Sequence, residues 1–191
     1  LGAGSACKVL VDNIVAQARP HAARLLEASE SELKYDKGIF SAHGHTLSVA
    51  QLSMRLAGQT PHPLNSLGEG TFGVTYPNGC HVAEVEVDPE TGLIDVVSHT
   101  VVDDAGVVIS PRLVEGQIHG GVVQGAGQVL GEHAIYDSTS GQFLTASFMD
   151  YPMPRAGIVR NIAVHEHPVP TKTNALGAKG VGEAGTSGSI P

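Results

Sequence analysis

Gly79-Cys80-His81-Val82-Ala83-Glu84-Val85-Glu86-Val87-Asp88 runs into Asp88-Pro89-Glu90-Thr91-Gly92 and then into the apolar stretch Leu93 to Asp103. The valines at 82, 85 and 87 suit a half-buried strand whose alternation slips once, and the linker carries proline early and glycine late, as a tight reversal requires. Two antiparallel strands are therefore expected. Upstream, Val9, Leu10, Ile14, Ala18, Ala22, Leu25 and Leu26 recur every three to four residues and describe one face of a helix that Pro20 is expected to kink or split. Leu33 to Tyr35 and Ile39 to Ala42, separated by Asp36-Lys37-Gly38, read as a second hairpin. A short helix follows, with Ser48 and Gln51 as a capping box and Gly58 just past its end.

Downstream, Ser110 is placed to cap a helix whose first residue is Pro111, where a missing amide hydrogen costs nothing, and that helix is expected to reach about His133. A turn at Asp137 to Gly141, an extended stretch from Gln142, a break at Pro152-Met153-Pro154 and a strand from Ile158 to His165 complete the order. Helices and strands do not alternate regularly, so the expected class is α+β with mostly antiparallel strands, not a doubly wound parallel sheet. Residues 1–191 read as one unit with a subdivision near 1–70 and 71–191.

Composition excludes several classes of function. The formal net charge is −8 and no basic cluster exceeds a pair, which argues against a nucleic-acid partner. No apolar run approaches the roughly 18 residues needed to cross a bilayer. Cys7 and Cys80 have no metal-binding spacing and read as buried or half-buried thiols, which favours a reducing, cytoplasmic setting. The chain begins without Met and stops at Gly188-Ser189-Ile190-Pro191, directly after its richest motif, so a fragment is expected. There are 24 glycines where about 13 would be ordinary for this length.

Those glycines gather at two places. Lys179-Gly180-Val181-Gly182-Glu183-Ala184-Gly185-Thr186-Ser187-Gly188 surrounds one glutamate with backbone free of bulk, so that a large ligand can approach its carboxylate. The plain alternative is a surface loop with one solvated acid. Glu115 to Gly131 holds glycine at 116, 120, 121, 125, 127 and 131 inside an expected helix, each costing roughly 1 kcal/mol relative to alanine. Close packing on another backbone or a flat cofactor offsets that cost, and Gln117, Gln124 and Gln128 offer amides to a heterocycle's edge. A tightly packed helix with exposed glutamines is the alternative. Gly125-Ala126-Gly127 only imitates a dinucleotide-binding turn, because no strand immediately precedes it. His43 with His45 and His165 with His167 lack a third ligand at any suggestive spacing, and Asp103-Asp104 before Ala105-Gly106 reads as a turn more readily than as a carboxylate dyad.

Val114-Glu115-Gly116-Gln117 through Gln124-Gly125-Ala126-Gly127, Asp150-Tyr151-Pro152-Met153-Pro154-Arg155-Ala156, and Leu176-Gly177-Ala178-Lys179-Gly180-Val181-Gly182-Glu183-Ala184-Gly185 occur in an order that resembles the xanthine dehydrogenase and aldehyde oxidase family. The flavour is closest to large subunits like that of carbon monoxide dehydrogenase. Tyr76 to Ala83 with its hairpin belongs to the same resemblance, which spans nearly the whole chain. It implies a part of the molybdopterin-binding domain of a molybdenum hydroxylase, with molybdenum held by molybdopterin or its cytosine dinucleotide, and with iron-sulfur clusters and FAD on partner subunits. By the resemblance, Glu183 matches the glutamate that takes a proton from a molybdenum-bound hydroxide. Gln124 and Gly125 match a segment that meets the pterin, and Lys179, Gly180, Val181 and Gly182 match a loop lying against the cofactor. No residue of this chain is implied as a metal ligand.

The same resemblance implies an iron-sulfur subunit, an FAD subunit and the remainder of the large subunit as partners, in a dimer of heterotrimers. Family cofactor loops and substrate-pocket residues would lie before Leu1, so the chain by itself is not expected to turn over. A non-catalytic remnant or assembly module is the other reading.

Overall fold

A computed structural model of the chain describes residues 1–186. It divides into two compact units, the first Leu1–Gly73 with Asn174–Leu176, the second Val74–Thr173 with the chain from Gly177 on.

The first unit is built from α1 (Gly2–Leu25), strands β1 (Lys34–Asp36), β2 (Ile39–Ala42) and β3 (His45–Ser48), and α2 (Val49–Leu56). Pro20 does not split the first helix into two elements; α1 is assigned continuously through it. Small residues let α1 lie close to its neighbours: Ala18, Ala22 and Ala23 are buried with Phe40, Leu47, Leu52 and Leu56. The three strands form an antiparallel sheet in the order β1-β2-β3. Ser48 caps α2 as expected, its hydroxyl accepting from the Gln51 amide while the Gln51 side chain accepts from the Ser48 amide. Each member satisfies an amide that the first turn of a helix leaves unpaired.

In the second unit, β4 (Asn78–Val87) and β5 (Ile94–Asp104) pair antiparallel over their full length, with a register shift between Glu84 and Val85 where the alternation slips. The chain then crosses through α3 (Pro111–Leu130) to β6 (Ile162–Glu166), which lies parallel to β5. Among the described residues the pairings are thus mostly antiparallel with one parallel crossover, and the α+β class stands. Val96, Val101 and Val159 pack with Ile118, Val122 and Ala126 of α3 to form the core of this unit.

Four local expectations need correction. Val82, Val85 and Val87 are exposed, and the face of β4 turned inward carries His81 and Ala83 instead. Strict alternation puts Val82 on the outer face and Val85 and Val87 on the same face as His81 and Ala83, of which only His81 and Ala83 are half-buried. Ser110 stands before α3 without a side-chain cap hydrogen bond, although its carbonyl accepts from both Leu113 and Val114. The helix also stops at Leu130, short of His133; a methyl group at Gly131 would press on Pro152 at 3.2 Å, so Pro152 crosses where another turn would run. Cys7 and Cys80 are both exposed, Cys80 because it alternates with the inward-facing His81.

Candidate active site

The end of β5 organises the glycine-rich loop that follows Gly177. Asp103 and Asp104 do not form a turn; they are the last two residues of β5 and point to opposite faces of the sheet. Asp104 takes the ammonium of Lys179 at 2.5 Å, with side-chain exposures of 12% and 11%, so the pair is largely withdrawn from water. Its carboxylate also accepts the amides of Gly106 at 2.8 Å and Val169 at 2.9 Å. Burial pushes the Asp104 carboxyl up, but the Lys179 hydrogen bond, the two amides and the Lys179 charge together outweigh it and hold the carboxyl at about 2. The backbone reinforces this anchor: Lys179 donates to the Ala105 carbonyl and Val107 to the Gly177 carbonyl. Gly106, at φ +65, leaves no room for a side chain beside the Gly177 carbonyl.

On the other face Asp103 is buried and meets His81, whose Nε2 lies 3.2 Å from Asp103 Oδ1. His81 Nδ1 lies 3.2 Å from His99 Nε2, and His99 is fully buried. One proton distribution serves both contacts with neutral rings: His99 donates from Nε2 to His81 Nδ1, and His81 donates from Nε2 to Asp103. Burial, and then the neighbouring His81, push His99 below its ordinary 6.5, consistent with an uncharged ring. Gly79 is required beneath Asp103, because a methyl group there would overlap the carboxylate.

The loop that carries Glu183 closes on itself through Ala184 donating to Val181 and Thr186 donating to Glu183, both at 3.3 Å. It lies against α3: a methyl group at Gly121 would stand 2.9 Å from the Ala184 carbonyl oxygen. Gln117 and Gln124 stand four residues before and three after Gly121, on the same helix face. Glu183 and Gln124 are both exposed, and neither side chain has a hydrogen bond or ion pair among the described residues. Gly125 is buried within α3, Val181 is buried, and Gly180 and Gly182 are exposed. Gly180 donates weakly to Thr75, while the amides of Val181 and Gly182 find no partner among the described residues. Ser187 and Gly188, quoted with this motif, lie outside the described residues.

Five of the six glycines between 116 and 131 fall into two groups. Gly121 faces the loop, and Gly127 and Gly131 face Pro154 and Pro152, so close packing within the chain explains their lack of side chains. Gly116 and Gly120 meet nothing within 4 Å, and neither do Gly180 and Gly182 of the loop. Each of the helical two costs about 1 kcal/mol that this chain does not recover. Gln124 continues the Gly116–Gly120 row at the next four-residue step, so a bare strip of backbone ends at an unpartnered amide. That surface suits a flat group with hydrogen-bonding edges. It also excludes the dinucleotide turn, since Gly125 and Gly127 sit deep inside a helix and not at the start of one.

Sequence reasoning missed His81, His99 and Asp104 as neighbours of the candidate site. The signal was present in the hairpin register: Gly79, His81 and Ala83 oppose Asp103, Val101 and His99, placing three polar groups on the covered face. His43 with His45 and His165 with His167 gather no metal site, and no group of three metal-ligating residues occurs among the described residues.

Fold and site together describe a strip of bare helix backbone beside the exposed Gln124 and the Glu183 loop. Residues 2–159 match the model of the molybdopterin cofactor-binding domain, and the chain belongs to that family, the family of the molybdenum hydroxylases. It is 36% identical over 175 residues to the nicotine 6-hydroxylase large subunit of Paenarthrobacter nicotinovorans, covering 86% of this chain and 21% of that protein. The crystal structure of the Cu,Mo-CO dehydrogenase in its carbon monoxide reduced state superposes with a TM-score of 0.83 at 30% identity, covering 98% of this chain and 24% of that one. Quinoline 2-oxidoreductase from Pseudomonas putida 86 gives a TM-score of 0.74 at 31% identity, over 92% and 24%. The chain therefore spans about a quarter of the length of these relatives. No helix among the described residues is long and apolar enough to cross a membrane.

Proposed function

We propose that this chain forms one wall of the molybdopterin site of a molybdenum hydroxylase and supplies Glu183 as the base for hydroxylation of an aldehyde or nitrogen heterocycle, with water as the oxygen source. The observation that carries this reading is the seating of the Glu183 loop on α3 at Gly121, beside Gln117 and Gln124 and next to helix backbone bare at Gly116 and Gly120 among the described residues. Glu183 is open to solvent in this chain, but it lies at that helix and not remote from it.

The residues divide the work as follows. A carboxylate oxygen of Glu183 accepts the proton of the water-derived oxygen that attacks the substrate carbon, which raises that oxygen's nucleophilicity at the moment of attack. Gln124 offers both donor and acceptor to a pterin edge, and Gly125 keeps the helix beneath it slim. The run Lys179 to Gly182 contributes through its backbone, because the Lys179 ammonium is already held by Asp104; the amides of Val181 and Gly182, without a partner among the described residues, are donors available to the pterin. A bound molybdenum-molybdopterin, as such or as its cytosine dinucleotide, supplies the two-electron acceptor.

The partners in this reading are the remainder of the large subunit, an iron-sulfur subunit and an FAD subunit, in a dimer of heterotrimers. A cytoplasmic setting fits two exposed, unpaired cysteines. In this reading the chain by itself does not turn over, as it spans about a quarter of the relatives' length. The heterocycle class is favoured by relatives whose names specify nicotine and quinoline.

The test is to assemble the complete complex, measure molybdenum and pterin, and replace Glu183 with Gln. At unchanged molybdenum content, hydroxylation of a panel of aldehydes and pyridine-type heterocycles is expected to fall by about two to four powers of ten. A rate near the parent's removes Glu183 from its role. A second reading, a non-catalytic assembly module, draws on Phe148 and Met149, which are 80% and 94% exposed and look like contact surface. It predicts an assembled complex that carries neither molybdenum nor pterin.

A further inference from the structure

The loop turn that bears Glu183 is wedged between two supports. On one side Ala184 lies over Gly121 of α3. On the other, Gly185 rests on the ring of His81 from β4, so closely that a methyl group at 185 would overlap the imidazole. Gly185 also has φ +73, a conformation that glycine adopts freely and other residues do not. Two independent requirements thus call for glycine at 185, and both fix the turn in place.

His81 is itself immobilised. Its side chain is 8% exposed, it is held at 3.2 Å by both His99 and Asp103, and its ring meets that of His99 edge-on at 5.4 Å between centroids. Asp103 Oδ2 and His99 Nδ1 are left without partners among the described residues, so the trio is poorly compensated for its burial. An apolar trio of the same volume would hold a sheet to a helix at lower desolvation cost. A rigid polar ring directly beneath Gly185 is therefore placed for something other than adhesion. Because Thr186 donates to the Glu183 carbonyl, closing the turn, a displacement of Gly185 carries Glu183 with it.

We propose that His81 is a positioning residue for Glu183: clamped by His99 and Asp103, its imidazole is the surface against which Gly185 seats, and so it sets where the Glu183 carboxylate is presented. The inference rests on the reading of Glu183 as the base. His81 touches neither substrate nor cofactor in this scheme and acts only through the loop.

The experiment uses the assembled complex with His81→Ala, His81→Gln, Gly185→Ala and Glu183→Gln. Hydrogen exchange at the Ala184 and Thr186 amides is expected to rise at least about tenfold in His81→Ala and Gly185→Ala, while the Lys179 amide, anchored on Ala105, keeps its parent rate. Molybdenum content and KM stay near the parent's, kcat falls by up to about 10²-fold as a displaced group implies, and His81→Gln, which retains a donor and an acceptor, recovers part of the loss. In the Glu183→Gln background, His81→Ala causes no further loss of kcat, because the two act as one unit. Unchanged exchange in the loop of both His81→Ala and Gly185→Ala overturns the proposal, as does a kcat loss that multiplies with that of Glu183→Gln. Should His81→Ala fail to assemble, Gly185→Ala decides, since it keeps the His81, His99 and Asp103 side chains and disturbs the seat from the loop side. If Glu183→Gln retains the parent rate, it is the base assignment that fails, and loop exchange still reports whether His81 holds the turn.

Discussion

Replacing Lys179 with Met tests how the glycine-rich loop is anchored. The methionine keeps the length and apolar stem of lysine but removes the charge that Asp104 holds at 2.5 Å. Asp104 retains its two amide donors, Gly106 and Val169, so the carboxylate is not left bare and the full 3–5 kcal/mol of a broken, fully buried pair does not apply. The fall of its carboxyl from 3.8 to about 2 corresponds to roughly 2.5 kcal/mol of preference for the charged form. Lys179 shares that preference with the amides and remains partly wetted, which leaves about 1–2 kcal/mol for the lysine. Every 1.4 kcal/mol is tenfold, so the Val107 and Lys179 amides, which tie residues 177–179 to 105–107, should exchange about five- to thirtyfold faster in Lys179→Met. The sign with pH follows from the lowered carboxyl. A group whose pKa falls on folding stabilises fully above its ordinary 3.8 and loses that contribution as pH drops toward 2. The ratio between parent and variant, corrected for intrinsic exchange, should hold from pH 8 to 5 and shrink only below about 4. A ratio under threefold at pH 7, or one that decays between pH 7 and 5, refutes this account of the anchor.

Three further outcomes follow from the same geometry. Gly116→Ala and Gly120→Ala should each stabilise α3 by up to about 1 kcal/mol in cofactor-free protein, since a methyl group there meets nothing, yet lower molybdopterin retention in the complex; pterin content after gel filtration reads the second effect. Gly79→Ala should cost about 2 kcal/mol or more, because its methyl group displaces the buried Asp103 carboxylate from His81, and a lowered thermal midpoint measures it. His99, pushed down from 6.5 by burial first and His81 second, contributes stability that is complete above 6.5 and is lost as pH falls through its lower folded value. Thermal midpoints between pH 7.5 and 5.5 should therefore fall more steeply for the parent than for His99→Asn, and equal slopes would contradict the assignment.

Much of the fold was legible because it is local. The Asp88 to Gly92 reversal, the Ser48–Gln51 capping box and the start of α3 at Pro111 are each written in a few adjacent residues, and each occurs where the sequence puts it. The failures concern choices made by tertiary packing. Valines 82, 85 and 87 carry the stronger hydrophobic signal, yet all three are exposed and the half-buried positions of β4 are His81 and Ala83. Pro20 removes one helical hydrogen bond, but the alanines at 18, 22 and 23 pack against Phe40 and the leucines and hold α1 together through it. Asp103-Asp104 has the composition of a turn; what makes it strand is the partner each acid finds on its own face, His81 and Lys179, 22 residues before and 75 after. No local pattern reports such distances.

The candidate site was legible for a different reason, namely that glycine has a cost. Six glycines in one helical stretch demand a compensating contact, and the structure supplies it for Gly121, Gly127 and Gly131 from this chain's own loop and prolines. It does not supply it for Gly116 and Gly120. If packing within the chain were the whole explanation, the bare glycines would be scattered; instead they line up one turn apart and lead to Gln124, on the helix that also receives the Glu183 loop. A helix bared along one row, ended by an unpartnered amide and flanked by a carboxylate on a glycine turn, is a surface shaped for something that lies flat against it. In the function proposed above, that group is the molybdopterin for which the family's domain is named.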